Sequence, residues 1–245
     1  MNEEEMQKLR ATEIEILDFV VEVCSANNLN YYLLYGTLLG AVRHEGFIPW
    51  DDDIDIGLPR KDYDRLCTIL TQKCNGHSKF CFQDCDADID FNKPYSKVRK
   101  RNTIFQEEGD NDNSVFQGIF IDIFPLDYVN NRVGLQKLFS FMVFRLLGVK
   151  GKNRRINISI SKKILTWYKW GMYYVVYGSP YSVEKDVHNI LWFGDGRSVV
   201  FEGKKYNAPE KYEEYLSQIY GDYMKLPPVE KRISHNPKLV KFGEV

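Results

Sequence analysis

The sequence contains no uninterrupted apolar run of about 18 residues, the length a membrane-spanning helix needs. The nearest approach, Val133 to Val149, is broken by Lys137 and Arg145. The opening MNEEEMQKLR is acidic and polar and lacks the apolar centre of a secretion signal, so a cytoplasmic chain is the expectation. Cysteine is sparse: five residues, an odd number, with no C-x-x-C pair. Reduced thiols fit that compartment. Cys67, Cys74, Cys81 and Cys85 lie close together with His77, which raises a zinc site, but without a paired knuckle buried thiols are the better reading. The net charge is only -1, which predicts no bulk attraction to nucleic acid. Repeats and low-complexity tracts are absent. Most telling is the absence of any Asp or Glu from Tyr128 to Val183, a window that holds ten basic residues and the aromatic run TWYKWGMYYVVY. That asymmetry predicts an anionic partner, with peripheral contact at the inner face of an anionic membrane as the leading case. An ordinary helical lobe with a solvated basic face is the alternative.

What is present is a globular balance, 44% hydrophobic against 27% charged, over a length that permits one large domain or a core with an appended lobe. Leu9, Ile16, Phe19, Val20 and Val23 recur at helical spacing, so Glu3 to Ser25 predicts an amphipathic helix with its glutamates on the outer face. YYLLYG predicts a short buried strand, GTLLGAVRHEG a short helix, and PRKDYDRLCTIL a helix opened by Pro59. Residues 74–114 look polar and irregular apart from a strand pair in KPYSKVRKRNTIF. GIFIDIFPLDYV alternates as a strand closed by Pro125, and the acid-free window, TWYKWGMYYVVY included, reads as helices of a second lobe. RSVVFEGKKYNAP predicts a hairpin and PEKYEEYLSQIYG a helix, followed by an extended tail.

The chemistry concentrates in PWDDDIDIGL, where four of the five residues from Asp51 to Asp55 are aspartates. In a strand, residues i and i+2 share a face, so Asp53 and Asp55 project together while Ile54 and Ile56 enter the core. Parallel carboxylates repel unless a cation sits between them, and oxygen-only ligands suit Mg²⁺ or Mn²⁺. A solvated acidic loop is the bland alternative, but a loop has no need of isoleucines at period two. Asp122, in IFIDIFP, repeats the device: apolar neighbours on both sides demand a partner. Placing it beside the Asp53/Asp55 strand completes a three-carboxylate metal site; pairing with an Arg or a backbone amide is the alternative. Gly36 precedes Asp53 by 17 residues and opens a helix whose free N–H groups suit a phosphate. Arg43, His44, Lys97 and Arg99 are the nearby cations, the last two equally readable as a solvated basic strand.

A glycine turn and helix, a strand with two carboxylates, and a third carboxylate on a later strand resemble the nucleotidyltransferase fold. Within it, YYLLYGTLLGAVRHEGFIPWDDDIDIGLPRKDYDRL strongly resembles the LicD family of phosphotransferases, which includes fukutin-related proteins. GIFIDIFPLD and the closing FEG, YGDYMKLPP and SH segments fit it too, so the likeness runs from about Glu13 to His235 with gaps at 74–90 and 131–190.

The resemblance implies an α+β fold: a nucleotidyltransferase-like mixed sheet with flanking helices plus a helical second lobe. The expected organisation is a catalytic core over 1–127, a basic aromatic helical insertion over 128–195, and a hairpin, helix and tail over 196–245 packing on the core. It implies transfer of a phospho-alcohol from a CDP-linked donor to a sugar hydroxyl, with CMP leaving. Phosphocholine from CDP-choline is the leading donor group, ahead of ribitol or glycerol phosphate. The implied acceptor is a cell-surface or lipid-linked glycan such as teichoic acid, lipopolysaccharide or capsule. Gly36 and Thr37 carry over as donor-phosphate contacts, and Asp53, Asp55 and Asp122 as ligands of Mg²⁺ or Mn²⁺, with Asp122 also proposed to take the acceptor's proton. A choline headgroup would call for aromatic faces, for which Trp50, Tyr128, Trp192 and Tyr223 are candidates. The competing readings are a metal-dependent nucleotide-sugar glycosyltransferase, a nucleic-acid nucleotidyltransferase and a non-enzymatic regulator. The first would place about one hundred nucleotide-binding residues before its Asp-x-Asp. The second would want a generally basic surface, and the third has no support while all three carboxylates are present.

Overall fold

The first helix starts where the sequence supplies a reciprocal cap. The Asn2 side chain accepts from the Glu5 N–H and the Glu5 carboxylate accepts from the Asn2 N–H, each at 2.9 Å. From there α1 (Glu3–Ala26) buries Leu9, Ile16, Leu17, Val20, Val23 and Cys24. The expectation that its glutamates all face outward fails at Glu13, which lies on the buried stripe at 2% exposure. The computed structural model describes residues 1–76, 78–106, 115–130, 133–178, 185–232, 234 and 237–243.

A two-residue strand β1 (Tyr32–Leu33) leads into α2 (Tyr35–His44), and β2 (Asp55–Pro59) runs directly into α3 (Arg60–Lys73). Gly40 in α2 has no room for a side chain, because a Cβ there would meet the Gly46 carbonyl at 2.5 Å. Then come β3 (Phe80–Gln83), β4 (Ser96–Lys100), β5 (Ile104–Gln106) and the ten-residue β6 (Phe120–Val129). The helices α4 (Val133–Gly148) and α5 (Arg154–Leu165) follow, then β7 (Tyr173–Val175), β8 (Val187–Asn189), the hairpin β9 (Arg197–Phe201) and β10 (Lys204–Ala208), α6 (Tyr212–Tyr220) and β11 (Leu239–Lys241).

The main sheet has strand order β1-β2-β6-β4-β3 and is extended by β7 on β6 and β8 on β7. Among the described residues of this sheet, β2 and β6 pair in parallel and the other pairs are antiparallel. Alternation decides the faces: Ile54, Ile56, Leu58, Ile121 and Ile123 are fully buried, while Asp55 and Asp122 occupy the positions between. Arg60 at the start of α3 makes a two-pronged bond to the buried Asp127, Nε to Oδ1 at 2.6 Å and Nη2 to Oδ2 at 2.8 Å, which fixes that helix over the far end of β6.

Four local expectations are corrected. The strand does not stop at Pro125. Asp122 donates its N–H to Ile54, so by alternation position 125 points toward β4, whose ladder has already ended at Ile123. No bond is lost there. The aromatic run is not helical: Thr166 caps α5, and Tyr173–Val175 pair with Val129–Asp127. Gly171 permits this close approach, since a Cβ would collide with the Val129 carbonyl. Residues 80–83 form a strand that the polar context hid, because FCFQ is buried at every position and shows no alternation. The tail is not merely extended, as β11 pairs with β5. The FEG segment closes the β9–β10 hairpin: Glu202 (φ 49°) and Gly203 (φ 73°) are both left-handed, as a two-residue hairpin turn requires.

Among the described residues no helix is long and apolar enough to cross a membrane. All five cysteines are free thiols, and all but Cys67 are buried; His77 lies outside the described residues.

Candidate functional site: an aspartate cluster across parallel strands

The register of β2 and β6 sets Asp55 directly beside Asp122. Lys97 of β4 stands opposite Asp122 on the other side, and its ammonium lies 2.7 Å from Asp122 Oδ1. Three adjacent strands thus bring carboxylate, carboxylate and ammonium into one row. Burial, then the charges of Asp53, Asp122 and Asp51, push the Asp55 carboxyl well above its usual range, and Lys97 offsets this in part. Asp53 and Asp51 therefore belong to the same cluster, although regular strand geometry begins only at Asp55.

Three devices hold these residues. The Asp55 N–H donates to Thr37 Oγ1 at 2.8 Å, so the first turn of α2 fixes the start of β2. Gly36 makes room for Asp51, whose Oδ2 would lie 2.6 Å from any Cβ there. Arg10 of α1 donates to the carbonyls of Ile48 (2.9 Å), Pro49 (3.0 Å) and Asp51 (2.8 Å) and ties down the approach to the aspartates. Beneath the loop, Glu13 is held well above the carboxylate range by burial and then by Asp53, Asp52 and Asp51.

The remaining predicted residues are spread out. Arg43 and His44 close the far end of α2, where Arg43 Nη1 donates to the Tyr223 carbonyl at 2.8 Å. Burial lowers the proton affinity of both, and for His44 the Arg43 charge adds to it. Trp50 carries the Arg232 guanidinium over its ring at 4.9 Å. Tyr128 packs against Tyr174, and Trp192 against His188. Lys97 and Arg99 are buried, which removes the solvated basic strand as an account of them. Arg99 donates to Gln83 Oε1 and the Gly118 carbonyl and so serves the sheet.

Sequence reasoning missed Arg10, Glu13, the Tyr35–Asp186 pair and Tyr220. Tyr35 takes φ 45° at the head of α2 and donates its hydroxyl to Asp186 at 2.9 Å. Tyr220, at the end of α6 and still 42% exposed, has its phenol pushed up by partial burial and then by the charges of Asp55, Asp51 and Asp53. Glu13 had a legible signal, a charge at helical spacing within an apolar stripe. The others arise from tertiary packing.

The all-oxygen donor set and the mutual repulsion at Asp55 fit a hard divalent cation. Among the described residues, no group of three His, Cys, Asp or Glu side chains is already arranged as a metal site, so the carboxylates would turn inward to hold one.

Residues 28–142 match the family model described as LicD/FKTN/FKRP, nucleotidyltransferase domain. These residues carry a LicD-family domain. Among its relatives is the lipopolysaccharide cholinephosphotransferase LicD of Haemophilus influenzae, 28% identical over 94% of this chain and 97% of that protein. An uncharacterized protein of Rickettsia typhi, RT0683, is 32% identical over 66% of this chain and 47% of its own length. The ribitol 5-phosphate transferase FKRP of Homo sapiens is 46% identical over 48 residues, 20% of this chain and 10% of that one.

Proposed function

We propose that this LicD-like phosphotransferase moves a phospho-alcohol from a CDP-linked donor to a sugar hydroxyl of a cell-surface glycan, with phosphocholine the leading group and ribitol or glycerol phosphate next. The observation that carries the reading is the register that pairs Asp55 with Asp122 beside Lys97. The full-length likeness to a lipopolysaccharide cholinephosphotransferase favours choline and a glycan acceptor.

Asp53, Asp55 and Asp122 would hold Mg²⁺ or Mn²⁺, which when bound supplies charge neutralisation at a diphosphate. The N–H groups at Gly36, in the first turn of α2, face the donor phosphate. Thr37 serves that contact by anchoring Asp55. Lys97 balances Asp122 before donor arrives and remains as a fixed positive charge beside the reacting phosphoryl group. The acceptor hydroxyl gives its proton to Asp122 as its oxygen attacks phosphorus in line, and CMP departs.

The test is thermal stabilisation with Mg²⁺ and a panel of CDP-choline, CDP-ribitol, CDP-glycerol, a UDP-sugar and ATP. A donor at 100 times its Kd adds about 2.7 kcal/mol. Stabilisation by one CDP-alcohol that is lost in Asp53→Asn/Asp55→Asn supports the reading. A response to the UDP-sugar or ATP alone would replace it with glycosyl or nucleotidyl transfer.

A further inference from the structure

The helix α4 buries one face and carries apolar side chains on the other. Gln136, Ser140, Val143 and Leu147 are buried, and Val143 and Leu147 form a small core with Ile158 and Leu165 of α5. On the opposite side of α4, Leu138 and Phe141 are 52% and 55% exposed. The helix α5 repeats the pattern: Arg154, Ile158, Ser161 and Leu165 face in, while Ile156 and Ile160 face out. Trp167 and Trp170, in the turn after α5, are 68% and 78% exposed. Leu138, Phe141, Ile156, Ile160, Trp167 and Trp170 are apolar side chains outside any core, and exposed apolar surface of this kind marks an interface.

Charge selects the occupant. Lys137, Arg145, Lys163 and Lys169 are exposed on the same two helices and turn, and no acidic residue occurs anywhere from Tyr128 to Val183. A second copy of this chain would bring like charges together, against the depletion of lysine at protein interface centres. Tryptophan, phenylalanine and leucine interleaved with Lys and Arg instead match the boundary of a bilayer, where rings and aliphatic chains enter the acyl edge and cations meet lipid phosphate.

We infer that the outer surface of α4, α5 and the Trp167–Trp170 turn docks on an anionic phospholipid bilayer, lying in its interface without crossing it. The inference rests on exposure and charge and does not depend on the transfer reaction.

The test is co-sedimentation of the full chain with vesicles of phosphatidylcholine alone or mixed with phosphatidylglycerol. Binding should be at least about tenfold stronger on the anionic vesicles and should weaken with salt. Phe141→Ser/Trp167→Ser/Trp170→Ser should lose at least about tenfold of that binding at unchanged Tm, since all three side chains are outside the core. Trp167→Phe/Trp170→Phe should keep it. Lys137→Gln/Arg145→Gln/Lys163→Gln/Lys169→Gln should lose the preference for phosphatidylglycerol. Equal or no binding to both vesicle types overturns the inference. So does a wild-type dimer that the serine variant converts to monomer, which would make the surface a self-interface.

Discussion

Asp55 sits where a carboxylate is least welcome, part-buried and facing Asp53, Asp122 and Asp51. Its proton affinity is raised above that of the unfolded chain. The folded state therefore holds more protons than the unfolded state once pH exceeds the ordinary Asp value of about 3.9, and stability falls as pH rises toward the folded pKa. Asp55→Asn removes the repulsion. Without divalent metal, in EDTA near pH 8, it should raise stability by about 1–2 kcal/mol and flatten this pH dependence, while abolishing transfer. Melts across pH with parallel activity assays check this; a destabilised variant would mean that the carboxylates are not in conflict. The placement of Asp122 beside Asp55 was legible in the sequence because each alternates with isoleucines, and alternation is a property of a few adjacent residues. The Lys97–Asp122 pair was not. It depends on β4 lying next to β6, and nothing in SKVRK states its neighbour.

At the scale of elements, the aspartate loop owes its position to a helix forty residues earlier in the chain. Arg10 bridges α1 to the carbonyls of Ile48, Pro49 and Asp51, with its guanidinium 5.0 Å from the centre of the Phe47 ring. Hydrogen bonds from a charged group contribute more than neutral ones, so Arg10→Ala should cost about 2–3 kcal/mol. Hydrogen exchange should rise selectively at Asp51–Asp53. Arg10→Lys should restore little, since an ammonium cannot fork between three carbonyls. Uniform exchange across the sheet instead would show that the contact is not local. Most elements themselves were legible: the apolar stripe of α1, the alternation in β2 and the β9–β10 hairpin are local signals. The failures share a cause. The strand β3 is buried on both faces and so lost its period, Pro125 was tolerated because β4 ends before it, and β7 was recruited from an aromatic run by the overhanging end of β6.

For the whole molecule, two opposed titrations overlap. His188 is buried against Tyr215 with a ring centroid separation of 4.5 Å, and burial lowers its pKa to about 3. The unfolded chain takes up that proton first, so stability is lost as pH falls from about 6.5 toward 3, at about 1.4 kcal/mol per unit. Above about pH 4 this opposes the trend from Asp55. His188→Phe should remove the acid-side loss and leave the fall in stability with rising pH that Asp55 imposes, as urea titrations at fixed pH would show. Packing is divided as well. The cluster holding Val143, Leu147, Ile158 and Leu165 is separate from the main core, so α4 and α5 should open without global unfolding. Arg154 is the buried link between them and the β3–β4 connection. It donates to the carbonyls of Ile89 at 2.7 Å, Phe91 at 2.5 Å and Leu147. Arg154→Ala leaves the carbonyls of Ile89, Phe91 and Leu147 short of a donor. It should lower the opening free energy of α4, α5 and residues 85–91 by about 2–3 kcal/mol, with exchange at Ile121–Ile123 unchanged. Equal loss of protection at Ile121–Ile123 would instead make the helical pair and the aspartate sheet a single cooperative unit.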